Sequence, residues 1–253
     1  MIEEGFSSGN SIIHGLDPRV RTLIACAFSV IVAISDRFPA LAVSVLISMT
    51  LAFLARLPIG KASFRLLMVN GFILLLWLFL PFTMGGETLF TLGPLTVAKK
   101  GVLYSALITV KSNAIILALM ALVATMPVFT IGRAMRNLHV PGKIVYLLLF
   151  TYRYIHAIHR EFWRQMNAIK IRGFQPGTNI HTYRTYAFLV GMLLVRSHDR
   201  AERVRAAMLC RGFRGRFYDL SEFALKGSDL VITALMLLAI ICVGLLQWTE
   251  IIY

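Results

Sequence analysis

Two histidines, His156 and His159, stand three residues apart and share one face of a helix. Imidazoles at that spacing can hold a metal ion, but a site needs a third ligand, usually with a carboxylate in the set. Glu161 falls on a different face, and His14, His139, His181 and His198 are isolated. The reading is a solvated or interfacial helix face, with no metal ligand assigned. Cys26, Cys210 and Cys242 form no CxxC pair, so neither a metal nor a disulfide is implied. There is no GxSxG, no Walker motif, no HExxH and no cluster of carboxylates. No acidic residue stands inside an apolar stretch long enough to span, which leaves a proton-coupled carrier mechanism little to work with.

What repeats is an Arg-Gly-Phe. Arg172-Gly173-Phe174 closes QMNAIKIRGF, and Arg211-Gly212-Phe213, 39 residues later, lies within RSHDRAERVRAAMLCRGFRGRF at 196–217. Each reads as the end of a long helix, with a basic residue in the last turn and then Gly where the chain needs φ > 0 to leave. Helix termination alone explains one copy, because a cation suits the negative end of the helix dipole. Two copies, each with Ala four residues before its Arg (Ala168, Ala207), point further. A capped end with an exposed guanidinium suits an acidic groove, since Arg pairs bidentately with carboxylates. Arg200, Arg203, Arg205, Arg214 and Arg216 form a supporting basic surface that would steer an acidic partner. Anionic lipid is a competing use of such a patch, and both uses can hold at once.

These ends need a scaffold, and composition says what kind. Of 253 residues, 58% are hydrophobic and 15% charged; an average soluble domain has about 25% charged. The net charge is +14. A chain this apolar is a poor nucleic-acid binder, so the charge reads as segregation by the positive-inside rule. The chain is expected to be an all-α membrane protein. It has about five transmembrane helices, with a module of long helices between the fourth and the last.

The opening residues, Met1-Ile2-Glu3-Glu4, lack the basic-then-apolar order of a signal peptide, so the N-terminus is expected to be retained. Asp17-Pro18 is a helix start, a capping carboxylate followed by Pro at the first position. The spans read as 20–35, 39–55, 66–82, 101–125 and 229–248, with Trp248 and Tyr253 as interfacial anchors. Arg56, Lys61 and Arg65 are placed in the loop after the second span, and 83–100 in a Gly-rich loop. Lys111 and Asn113 should face other helices, or Lys111 should reach an interface. Thr130 can cap a short amphipathic helix, 131–139, that Pro141-Gly142 ends. Two long helices follow, at 143–172 and 183–211. The domains are expected as 1–126, 127–227 and 228–253.

Residues 131–226 carry 17 Lys/Arg against 5 Asp/Glu. With that region inside, 22 of the 26 Lys/Arg collect on the cytoplasmic side, which puts the N-terminus in and the C-terminus out. Letting the short apolar stretches at 144–150 and 186–195 cross would give seven spans and place Arg172 outside, against the charge rule.

Four blocks carry a resemblance: HGLDPRVR at 14–21, RAMRNLHVPGKI at 133–144, TYRYIHAIHREFWRQMNAIKIRGF at 151–174, and the basic block at 196–217. The chain resembles the transmembrane (T) component of energy-coupling factor transporters, a class of ABC importer. It is most similar to the CbiQ-type component of cobalt or nickel uptake, over nearly its whole length. In that family, paired arginines on coupling helices insert into grooves on two ATPase subunits. The resemblance carries that role to Arg172-Gly173 and Arg211-Gly212. Ile171 and Cys210 stand where the family usually has a small residue. The resemblance implies a scaffold in a bacterial or archaeal cell membrane, not an enzyme. No cofactor is expected in this chain: ATP and magnesium belong to an ATPase dimer, and the cobalt or nickel ion to a separate substrate-binding membrane subunit.

Two rivals remain from other classes. An integral membrane enzyme acting on anionic lipid would use the basic surface to hold phosphates, but lacks the Asp/His set such chemistry needs. A lipid-binding anchor would depend on charge and not on Gly173 or Gly212.

Overall fold

The computed structural model describes residues 11, 13–83, 88–92, 95–215 and 227–248, without the side chains of 88–97, 228–229 and 248. Arg216, Phe217, Tyr253, the first ten residues and the Trp248 side chain, all used above, lie outside the described residues. The chain forms two compact units, one of residues 141–223 and one of 3–140 with 224–253.

The larger unit begins with a short 3-10 turn, Ile13–Gly15, and then α1 (Pro18–Ile34). Asp17 caps α1 as its sequence demands: its carboxylate accepts the Arg19 N–H at 2.9 Å, and Pro18 opens the helix. Then come α2 (Phe38–Leu54), α3 (Ile59–Thr83) and α4 (Lys99–Leu122), followed by α5 (Val128–Asn137) and, at the end of the chain, α8 (Gly227–Trp248). The expected loop at 83–100 contains a hairpin, β1 (Thr88–Leu92) paired antiparallel with β2 (Leu95–Ala98). Its two short runs rich in Thr, Leu and Val were the available signal.

α4 is the hub, packed on α1, α2 and α3. Its buried residues are mostly small, Gly101, Ser105, Ala114, Ala118 and Ala121, which lets neighbouring backbones come close. A Cβ at Gly101 would lie 2.6 Å from the Leu80 carbonyl oxygen on α3. Buried hydroxyls bond within their own helices, Ser105 to the Gly101 carbonyl at 2.8 Å and Ser44 to that of Leu41 at 2.8 Å. Asn70 of α3 and Asn113 of α4 exchange reciprocal amide bonds of 3.0 Å. Lys111 donates to the Asp36 carboxylate at 2.6 Å and to the Ala33 carbonyl at 3.1 Å. Lys111 and Asn113 therefore both face other elements, as expected. Buried Arg21 donates to Thr125, joining the start of α1 to the end of α4.

Helices 59–83, 99–122 and 230–247 are long and apolar enough to cross a membrane; Phe38–Leu54 is apolar but shorter. Large apolar side chains such as Phe64, Leu67, Phe72 and Leu238 face outward, as lipid contact requires. The protein is an all-α membrane protein. The basic loop was drawn too long: α3 starts at Ile59, so Lys61 and Arg65 stand on its first turns. Thr130 does not cap α5. Pro127 does, with φ −61° and ψ 143°, and its carbonyl accepts the Thr130 and Ile131 N–H groups. α5 packs on α1.

The smaller unit is a pair of long helices, α6 (Gly142–Ile171) and α7 (Ile180–Cys210). They begin and end within three residues of the expected limits.

Candidate functional site

Four helices end in the same hydrogen-bonded turn, and two of them carry the Arg-Gly pairs. At the end of α6, Gly173 N–H bonds to the Lys170 carbonyl at 3.0 Å and Phe174 N–H to that of Ile169 at 3.2 Å. At the end of α7, Gly212 bonds to Leu209 at 2.9 Å and Phe213 to Met208 at 3.0 Å. This pair of hydrogen bonds is the Schellman motif, and it needs a left-handed residue. Gly173 supplies it with φ +82° and Gly212 with φ +77°. The other two ends use Arg56 (φ 48°) and His139 (φ 63°), where an L side chain makes the left-handed region costly. His139, with Val140 N–H bonded to the Met135 carbonyl, ends α5 before Pro141-Gly142 is reached.

The two docking candidates are thus one local structure made twice. Arg172 and Arg211 are each the last half-helical residue before the glycine, and both are exposed. Phe174 and Phe213 are both half-buried, and Phe174 packs on His181 and Tyr186 at the start of α7. Ala168 and Ala207 are exposed one turn earlier. Ile171 is 87% exposed and Cys210 is exposed, so neither substituted position is held by packing among the described residues.

The ends are not side by side. Phe174 lies edge-to-face on Tyr186 with centroids 5.8 Å apart, so the end of α6 adjoins the start of α7. Arg211 is 25 residues beyond Tyr186, which at about 1.5 Å per residue is roughly 40 Å. Arg200 and Arg205 join Phe150, Tyr154, Ile158 and Met208 around a groove of about 300 Å³ between the two helices. Arg203 and Arg214 are exposed.

One residue pair escaped the sequence reading. Glu161 is 7% exposed and accepts a bond from Arg196 of α7, with Arg164 at 3.2 Å and Gln165 at 3.5 Å beside it. The Arg196 hydrogen bond, helped by Gln165 and the charges of Arg196 and Arg164, holds the Glu161 carboxyl below its ordinary value of 4.5, against burial acting the other way. A lone acid in a 30-residue basic helix was the signal. The two histidines have aromatic partners: Trp163 Nε1 donates to His159 Nε2 at 3.0 Å, and the His156 ring sits edge-on to Tyr152. Among the described residues no three His, Cys, Asp or Glu side chains could share a metal.

The model of a family described as "Cobalt transport protein", CbiQ, matches residues 9–219. The energy-coupling factor transporter transmembrane protein EcfT of Thermosediminibacter oceani is 28% identical, over 94% of this chain and 92% of that one. Its namesake in Streptococcus equi is 29% identical, over 90% and 91%, and that of Leuconostoc gelidum 28%, over 83% and 82%. The family match takes in α1 through α7 and both Arg-Gly ends, and so the chain belongs to the CbiQ family of cobalt transport proteins.

Proposed function

We propose that this chain is the transmembrane T component of an energy-coupling factor importer for cobalt or nickel ions, and that Arg172 and Arg211 dock two ATPase subunits. The observation that carries the reading is the duplicated helix end: two identical turns, each presenting an exposed Arg, roughly 40 Å apart by helical rise. That spacing suits two separate sites rather than one. The names of the similar proteins support the transporter assignment, and the family description supports cobalt. ATP and magnesium act in the ATPases; the ion is cargo, held by a separate substrate-binding membrane subunit. ATP-driven closure moves the two Arg-ended helices as rigid bodies, and the membrane helices pass that movement to the substrate-binding subunit. The N-terminus lies in the cytoplasm and the C-terminus outside, with five spans counted by adding α1 and α2 to the three longer apolar helices.

The test is co-purification from detergent-solubilised membranes with the candidate ATPase. Wild type should retain the ATPase and Arg172→Glu/Arg211→Glu should lose it while still inserting. Gly173→Ala/Gly212→Ala should also weaken retention, because the left-handed turn that aims each Arg is strained. Equal retention by the Arg double variant reduces the motif to helix termination. Failure of the ATPase to co-purify even with wild type favours the lipid anchor.

A further inference from the structure

The two long helices are joined at a point that docking itself does not use. Glu161 is the one buried acid among the described residues of 141–223, and its main partner, Arg196, comes from the other helix. Arg164 and Gln165 take up its remaining acceptor capacity from within α6. The Glu161 carboxylate is shielded while the Arg196 side chain is 49% exposed, so the cost of losing the partner falls on the carboxylate side.

The pair also marks a change in packing. Toward the connecting turn, Met166 and Leu189 are buried and Phe174 rests on Tyr186, so the helices are in contact. In the other direction, Phe150, Tyr154 and Ile158 of α6 face Val204 and Met208 of α7 across the open groove. Arg172 is 11 residues from Glu161, and Arg211 is 15 residues from Arg196. Helical rise makes these arms about 16 and 22 Å long, so a rotation of about 10° at the pair would move the longer arm's end by about 4 Å.

We infer that Glu161–Arg196 is the fulcrum of the helix pair: it fixes the crossing of α6 and α7 and so sets the spacing of Arg172 and Arg211. Both are positioning residues, whose role lies in the helix pair and not at the Arg172 and Arg211 ends. The link to docking rests on the proposed function; the spacing itself can be measured with no ATPase present.

The experiment uses the full chain in lipid nanodiscs, with the three cysteines replaced by Ser and spin labels on Asn167→Cys and Ala206→Cys. Both label positions are exposed. Pulsed electron resonance reads the distance between them. Wild type should give one narrow distribution, and Glu161→Gln and, separately, Arg196→Gln a broad or shifted one. The reversed pair, Glu161→Arg/Arg196→Glu, should narrow it again, since Arg164 is 73% exposed and free to swing aside. In the assembled transporter, ATP-driven ion uptake should fall in each single variant and recover in the reversed pair. An unchanged distribution in either single variant overturns the fulcrum, as does a reversed pair that stays broad. Should the spacing respond while Arg172→Glu/Arg211→Glu still retains the ATPase, the fulcrum stands and the docking reading falls.

Discussion

At the residue scale, Glu161 shows how environment sets a charge. Its carboxylate is buried, which alone would favour the neutral form, yet Arg196 and its neighbours hold it ionised below the ordinary value of 4.5. A folded-state value depressed in this way contributes stability that is fully present above about pH 4.5 and lost as the pH falls through the lower folded value. Thermal unfolding of wild type against Glu161→Gln should therefore show a stability gap near neutrality that closes on acidification below pH 4.5. A gap that does not change with pH means that the bond to Arg196 gives no net preference for the ionised form. Glycine matters at only a few positions. Gly173 and Gly212 hold left-handed turns that Arg56 and His139 adopt without that freedom, so the turn can be made without glycine and the two glycines mark ends where strain is avoided.

At the element scale, the contact of α3 with α4 is the tightest that any glycine serves among the described residues. An added methyl at Gly101 meets backbone, the Leu80 oxygen at 2.6 Å and the Pro81 Cα at 2.7 Å, and backbone cannot swing away. Gly101→Ala should destabilise the membrane unit by about 1–3 kcal/mol, the usual range for overpacking. A lowered melting temperature in detergent would show it; an unchanged one would mean that the two helices can slide apart freely. Element boundaries were legible where a residue has only one sensible place. Asp17-Pro18 could only start a helix, and the glycines after Arg172 and Arg211 could only end one. They were illegible where an alternative chemistry took over. Pro127 sets the start of α5 through its fixed φ, which displaced the hydroxyl of Thr130 from the capping role. His139 ends the same helix in a conformation that its side chain does not advertise. The Glu161–Arg196 bond joins residues 35 apart, and no local pattern reveals which Arg of a basic helix will reach across to the acid.

At the scale of the whole molecule, the uneven spread of charge makes the proposed topology testable. Residues 131–226 hold 17 of the 26 Lys/Arg, and the proposed orientation keeps that basic segment on the cytoplasmic side, as the positive-inside rule favours. Gln175, in the exposed turn after Gly173, is a suitable reporter. In a chain with its own cysteines replaced, Gln175→Cys should react with an impermeant maleimide only in inside-out vesicles. Reaction in right-side-out cells would reverse the proposed orientation. The family match and the similar transporter proteins agree with a transmembrane transporter component rather than an enzyme.

The separation of the two Arg-ended turns has a consequence for affinity. A partner that is itself a dimer can grip both ends of one helix pair, and its second contact then forms within a complex already made. Tethering of this kind supplies an effective concentration in place of a second diffusional encounter, and avidity can exceed either single contact by about 10²–10⁴. Most of that gain vanishes when either hook is lost. A chain with only one of Arg172 and Arg211 intact would then behave much more like one with neither than like one halfway between.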